Sequence, residues 1–381
     1  MSANITQLIP DSFCPGKWDE LCLNLNYNYA YGCCSAVPMT FVKDFNEVLD
    51  KQKANLLNGV KDSSCNYCWD IEKAGGISKR SIKYLNNFNP ELFDSYADNS
   101  SKVKLLEVNL GNECNFQCTY CNPKYSSQWE ADIRKQPYKI FTDRFNYGLL
   151  DKADIELGNT NKQMFSNIGH LDEARIIGGE PLTNKNLWSL LDAVDADRLQ
   201  ITTNLSCKTA TIDKLMDLAR TKFKKIRLQI SIDSTKEISE FVRYGMVYDT
   251  MMSNIEYLLA TAPDNVLITI ASTISSITVR GIEEFTEQVK QWQSIRPTLI
   301  WTLVYCNTPA TQSFATLPDH YRADILQAVA KIKLMPNIEQ LDTIETSLNK
   351  IKFNATMHKE MKNFMQQFAD RKNIKIPLCL E

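Results

Sequence analysis

Three cysteines stand within eight residues, as Cys114-Asn-Phe-Gln-Cys118-Thr-Tyr-Cys121. They follow an apolar run at 103–110 that reads as a buried strand. Three thiolates on one curled loop can converge on a single inorganic centre. An iron–sulfur cluster normally takes four cysteines, so three near ligands with no local fourth leave one iron open to a small molecule. A zinc knuckle or three unrelated core cysteines are the other readings. Zinc sites favour paired CxxC or Cys/His spacings, and this loop has no histidine.

A second set lies upstream: Cys14, Cys33-Cys34 and Cys65-Asn-Tyr-Cys68. Four of these, Cys14, Cys33, Cys65 and Cys68, could saturate one centre, with Cys34 as the alternative to Cys33. A structural zinc site from the same four is the competing reading, since four-cysteine zinc is common. Cys22 and Cys34 are too few for a further cluster. Cys207 and Cys379 read as small buried hydrophobes. Cys306 follows the last strand of the series described below, where a thiol could donate or accept a hydrogen atom, although the buried-hydrophobe reading also applies. His170, His320 and His358 sit in polar contexts that do not suggest a histidine-based triad or metal site.

The composition frames these sites. The chain has 381 residues, twelve of them cysteine, with 44% hydrophobic and 23% charged residues and a net charge of −2. That is ordinary globular chemistry, with no global basic field to hold nucleic acid. No apolar run approaches the roughly 20 residues of a membrane helix. The first residues have neither a basic start nor an apolar stretch, so a cytoplasmic location is expected. In a reducing compartment, clustered cysteines point to metal or redox chemistry and away from disulfides.

The elements that must position the sites form a βα rhythm from about residue 103. Strands are expected at 103–110, 174–177, 199–202, 226–232, 266–271 and 299–304, with helical patterns between them. Strands alternating with helices imply an α/β fold with a parallel sheet. The expected domains are a cysteine-rich region at 1–72, a connection at 73–102, the βα region at 103–310 and a helical region at 311–381. An insertion is expected at 137–170, between the first helix and the second strand.

CxxxCxxC after a first strand, with an aromatic before the last cysteine, resembles the radical S-adenosylmethionine (SAM) superfamily. Companion elements follow in order: Gly178-Gly179-Glu180-Pro181 after the second strand, Thr202-Thr203-Asn204 at the end of the third, Ser231-Ile232-Asp233 at the end of the fourth, then Arg243-Tyr244-Gly245. The resemblance covers roughly 103–310 and implies a partial (β/α)6 TIM-like barrel, with its site at the C-terminal strand ends. It implies that Cys114, Cys118 and Cys121 hold a [4Fe-4S] cluster whose open iron is chelated by SAM. Gly178 and Gly179, without side chains, would let the backbone approach the methionine, and Pro181 completes the cofactor-binding motif. Glu180 would meet its ammonium and Arg243 its carboxylate. Asn204 and Ser231 would be placed for the ribose hydroxyls and Tyr120 beside adenine, and Asp233 is a further cofactor-binding candidate.

The upstream cysteines are similar to the SPASM/twitch extension, which binds an auxiliary [4Fe-4S] cluster. From Cys14, thirteen residues lead to Asn28, and four more to Cys33. Asn28 stands where the extension has glycine; both tolerate positive φ. Trp18 matches the tryptophan common after the first cysteine. The extension normally follows the barrel, and here it precedes it.

The resemblance implies reductive cleavage of SAM to a 5′-deoxyadenosyl radical and hydrogen abstraction from a substrate. A flavodoxin- or ferredoxin-like donor would supply the electron. Peptide modification or two-electron oxidation of a small molecule, with the auxiliary cluster as acceptor, is the first expectation. Nucleoside or nucleotide modification is the second. The strand-end residues Glu107, Asn109, Gln229 and Thr302 are neutral or acidic, which weighs mildly against a phosphate ligand. A non-catalytic electron carrier or cluster scaffold is the third reading.

Overall fold

The computed structural model describes residues 9–26, 29–36, 39–40, 45–82, 88–139 and 168–378. Asn28, Cys379 and most of the expected insertion lie outside them. The chain forms two compact units. One comprises Met1–Gly111, Asp151–Ile177 and Asn186–Leu199; the other comprises Asn112–Leu150, Gly178–Lys185 and Gln200–Glu381.

Twelve strands occur among the described residues: β1 (Glu20–Asn24), β2 (Tyr29–Tyr31), β3 (Met39–Thr40), β4 (Leu105–Asn109), β5 (Gln117–Cys118), β6 (Leu171–Ile177), β7 (Ala196–Thr203), β8 (Lys225–Ser231), β9 (Arg243–Tyr244), β10 (Val266–Ile274), β11 (Ile300–Tyr305) and β12 (Ile338–Glu339). All six expected strands are present, as β4, β6, β7, β8, β10 and β11. Their alternation with helices gives the mixed α/β fold with a parallel sheet core.

In the first unit the strand order is β3-β2-β1-β4-β6, ending on the start of β7. β4 pairs in parallel with β6, Val108 opposite Ile176. The surprise is β1, which pairs in parallel with β4, Cys22 opposite Glu107 and Asn24 opposite Asn109. All five residues of Glu-Leu-Cys-Leu-Asn are buried there. The region at 1–72 therefore contributes a strand to the parallel sheet as well as its cysteines. An aromatic core of Phe13, Trp18, Trp69 and Tyr96 packs around Cys14 and Leu56. The Phe13 and Trp18 rings are 5.3 Å apart.

In the second unit the order is the end of β7, then β8-β10-β11-β12. β8 and β11 pair in parallel on either side of β10. β10 is buried at nearly every position, as a strand covered on both faces must be. The helical patterns expected between the strands are present here as Thr209–Thr221, Tyr248–Thr261 and Ile282–Ile295. After Pro318 the chain is helical at Arg322–Ile332, Leu341–Lys350 and Ala355–Lys372. The last of these does more than cover the core. Phe364 and Phe368 pack on Trp129, and Tyr120 and Cys121 pack against the same cluster, so this helix buttresses the cysteine loop.

Candidate functional site

In the second unit the three-cysteine loop is pinned by its own backbone groups. The Cys121 amide donates to the Cys118 carbonyl (2.9 Å), and the Cys118 carbonyl also accepts from Trp129 Nε1 (2.7 Å). Ser126 caps the helix Ser127–Lys135, and its hydroxyl donates to the Phe116 carbonyl (2.8 Å). β5, which carries Cys118, pairs antiparallel with β9, setting Cys118 opposite Arg243. All three thiols are half-buried. Burial is the first cause that raises each of them, Cys121 to about 12. Burial thus keeps the protons on these thiols until a bound metal ion, whose charge inverts that preference, displaces them.

Arg243 and Asp233 form the electrostatic anchor. Arg243 Nε and Nη2 donate to the two Asp233 oxygens, both at 2.8 Å, with the side chains 7% and 0% exposed. Tyr120 donates its hydroxyl to Asp233 Oδ2 (2.6 Å), and the Thr273 amide donates to Oδ1 (2.8 Å). A carboxylate has about four acceptor sites, and those of Asp233 are filled by the chain itself. Its place is therefore to hold Arg243 and Tyr120. Arg243 keeps Nη1 directed to Cys118 Sγ at 4.0 Å, where its charge favours a thiolate.

The Gly-Gly-Glu-Pro turn packs directly on this loop. Gly178 has φ +141°, a conformation that favours glycine. A Cβ at Gly179 would lie 2.2 Å from the Glu113 carbonyl oxygen, so only glycine fits. Glu180 is buried and caps the short helix Pro181–Thr183. Its oxygens accept from Leu182 N (3.0 Å), Thr203 Oγ1 (2.6 Å) and Asn204 N (2.6 Å). Burial raises its carboxyl above the usual range against these bonds. One acceptor site remains for an ammonium. Asn204 Nδ2 donates to Asn115 Oδ1 (2.8 Å), and its Oδ1 accepts from the Ser206 amide (2.9 Å).

Ser231 ends β8, half-buried, opposite Ala271 of β10. Cys306 follows β11, buried, its thiol donating to the Thr308 carbonyl (3.5 Å). Burial first, and the Asp233 charge second, push it to about 12, a protonated thiol. Cys207 is half-buried and also raised by burial to about 12. Thr203 falls in the Thr202-Thr203-Asn204 element, although its bond to Glu180 was not foreseen; the sequence reading missed Asn115 and Thr273, whose contacts are with other site residues and carry no spacing signal of their own.

In the first unit Cys14, Cys33, Cys65 and Cys68 line one cavity, together with Lys17, Ser35, Ala36, Lys79 and Arg80. The four expected ligands thus face a common space. Cys34 is exposed and meets Lys79 Nζ. Hydrogen bonds from Cys22 and Cys33 hold the Cys34 thiol well below the ordinary range. The Cys34 hydrogen bond raises Cys22 and Cys33 in turn. Glu20, Cys33 and Cys34 also present ligand atoms within 4.8 Å of one another. Among the described residues no helix is long and apolar enough to cross a membrane.

A radical SAM domain uses a [4Fe-4S] cluster on three cysteines together with SAM. The residues of the second unit fit both groups: three desolvated thiols on one loop, an anchored guanidinium with spare N–H groups, one open carboxylate site and a glycine where no side chain has room. The four thiols of the first unit fit a second cluster.

Residues 108–274 match the model of the radical SAM superfamily. A GTP 3′,8-cyclase of Campylobacter lari is 28% identical over 147 residues, 38% of each chain. That of Sulfurimonas denitrificans is 30% identical over 159 residues, 40% of this chain and 41% of the relative. The chain thus spans about two fifths of the length of these curated relatives. Among solved structures, Streptococcus suis SuiB bound to its precursor peptide SuiA aligns at 14% identity, covering 81% of this chain and 71% of that one, with a TM-score of 0.43. The loop, the turn and the Arg243 anchor all belong to the matched segment, and the chain carries a radical SAM domain over residues 108–274.

Proposed function

We propose that the protein is a radical SAM enzyme that removes a hydrogen atom from a peptide or small-molecule substrate and passes a second electron to an iron–sulfur centre in the first unit. The observation that carries this reading is the convergence of Cys14, Cys33, Cys65 and Cys68 on one cavity in a chain that also has the three-thiol loop. When bound, the SAM cluster and SAM supply a 5′-deoxyadenosyl radical. The residues of the chain bind and orient. Cys114, Cys118 and Cys121 hold the cluster, and Arg243 offers its N–H groups to the SAM carboxylate. Glu180 offers its open site to the ammonium, and Gly179 admits the methionine against the backbone. Asn204 and Ser231 lie toward the ribose side, and Tyr120 toward adenine. A second centre, which Cys14, Cys33, Cys65 and Cys68 would hold, would supply an acceptor for one further electron, so that loss of a hydrogen atom to the radical, of that electron, and of a proton to solvent would make up a two-electron oxidation of the substrate. A flavodoxin- or ferredoxin-like protein is the fitting donor for the SAM cluster. Cys306 is a candidate hydrogen-atom partner, because its thiol stays protonated and senses the Asp233 charge.

A second reading, modification of a nucleotide, is favoured by one observation: the curated relatives quoted above are GTP 3′,8-cyclases. Turnover of a substrate panel of peptides, alcohols and nucleoside triphosphates, read as 5′-deoxyadenosine released and substrate mass lost, separates the two. The proposal expects Cys65→Ala to keep SAM cleavage without substrate while losing substrate oxidation. Full substrate conversion by a folded Cys65→Ala protein without its second centre would refute the acceptor role.

A further inference from the structure

The four-thiol cavity of the first unit contains a cation that a purely structural site does not need. Lys17 is 1% exposed and lines the cavity with the cysteines. Its ammonium donates to Gln52 Oε1 (2.7 Å) and Ser64 Oγ (3.2 Å), both neutral. No ion pair to Lys17 falls within 4 Å among the described residues. The other two cations at the cavity have anionic groups of their own: Arg80 forks onto Glu72 (2.9 and 2.5 Å), and Lys79 meets Cys34. A buried ammonium without an anion is costly and is almost never seen unless paired.

The anions near Lys17 are the thiols of the cavity and, beyond 4 Å, the Asp62 carboxylate, whose oxygens already accept from Asn55 Nδ2 and the Ser64 amide. Ser64 Oγ, which accepts from Lys17, lies 3.8 Å from Cys65 Sγ. Burial raises the Cys65 thiol, and the Lys17 charge works against that rise. The sequence builds this approach. The Lys17 amide donates to the Cys14 carbonyl (3.2 Å), so a ligand and the cation share one turn. A Cβ at Gly32, the residue before Cys33, would lie 3.1 Å from Lys17 Cδ and 2.6 Å from Leu49 Cδ1. Glycine at 32 leaves room for the lysine stem to run beside Cys33.

We infer that Lys17 sets the reduction potential of the centre held by Cys14, Cys33, Cys65 and Cys68. The inference rests on the iron–sulfur reading proposed above. A cluster on four thiolates is a net anion, and taking one electron adds a further negative charge. A fixed positive charge in a cavity away from water stabilises the reduced form more than the oxidised one. Lys17 therefore raises the potential and makes the centre a better acceptor of the electron left on a substrate. It acts through the cluster as a tuning residue and touches no substrate.

The test uses full-length protein with Cys114, Cys118 and Cys121 replaced by alanine, so that one centre remains to be read. Iron and sulfide are counted first. Zinc, or no metal, in this background sinks the iron–sulfur reading itself and is distinguished from failure of the inference. With iron present, the reduced cluster is followed by electron paramagnetic resonance during a potentiometric titration with dithionite and mediators. Lys17→Met should lower the reduced-to-oxidised ratio at fixed potential about tenfold, a shift of about 59 mV to more negative values for one electron. Lys17→Arg keeps the charge and should stay near the parent. Loss of iron in Lys17→Met with retention in Lys17→Arg would also support the counter-charge, since the two differ in charge and both fill the site. An unshifted potential in Lys17→Met, or equal loss of iron in both variants, would overturn the inference.

Discussion

The two thiol sites of this protein are assembled in opposite ways. The loop of the second unit takes its three cysteines from eight consecutive residues and fixes them with local hydrogen bonds and a helix cap. The cavity of the first unit gathers four cysteines spread from position 14 to position 68, brought together by an aromatic core and by β1 pairing with β4. Three thiols would leave one iron of a cluster open, beside the Arg243 and Glu180 side chains; four thiols would saturate a cluster, in a cavity that Lys17, Lys79 and Arg80 also line. An open site suits binding and cleavage of a cofactor; a closed one suits electron transfer or structure. The comparison teaches that the number of thiols matters less than what stands around them: the Arg243 and Asp233 anchor in one case, Lys17 in the other.

The largest expected effect separates the two sites outright. Cys121→Ala removes one of only three ligands and should abolish reductive SAM cleavage, measured as 5′-deoxyadenosine, while the first unit keeps its metal. Undiminished cleavage in that variant would mean the loop is not the cofactor site.

Asp233→Asn should cost stability next. It leaves the Arg243 guanidinium buried without its charge partner, and breaking a buried pair by removing one partner costs about 3–5 kcal/mol. Denaturant unfolding measures it. A loss below 1 kcal/mol would show that the pair is not the anchor of the loop. Gly179→Ala should be milder, about 1–3 kcal/mol from overpacking against the Glu113 carbonyl. SAM affinity should fall with it, which equilibrium binding would show. Wild-type affinity and stability would refute the close approach.

The smallest effect is one of pH. The Glu180 carboxyl is raised above its ordinary 4.5 by burial, so between that value and its folded-state value the native protein binds more protons than the unfolded one. Its contribution to stability is therefore lost as pH rises through that window. Glu180→Gln should remove this component. The stability difference between variant and wild type should move in the variant's favour as pH rises from about 4.5, and a pH-independent difference would contradict the assignment.

Much of this was legible in the sequence because the signals were local. CxxxCxxC, Gly178–Pro181 and the apolar runs of β4 to β11 each occupy a few adjacent residues, and the six strands fall where the runs stand. The helical region expected at 311–381 contains the helix Ala355–Lys372, but nothing in its sequence tells that it supports the cysteine loop. β1 escaped notice because Glu20 and Asn24 bracket three apolar residues, and polar strand ends read as loop. Its burial is decided by the partner strand. The saturation of Asp233 and the burial of Lys17 were illegible for a similar reason. Both depend on groups ten to 47 residues away: Arg243 and Thr273 for Asp233, Gln52 and Ser64 for Lys17. Spacing shows which residues can act together, and only the fold shows which acceptor sites are already filled.

The claim that two independent centres occupy the two units is tested most directly by counting metal in the protein with Cys114, Cys118 and Cys121 all replaced by alanine. After anaerobic reconstitution the wild type should hold about eight iron and eight sulfide, as two Cys-ligated [4Fe-4S] clusters do. The variant should hold half of each and release no 5′-deoxyadenosine. A variant left without iron, or one carrying zinc where the remaining four iron should be, would contradict the account.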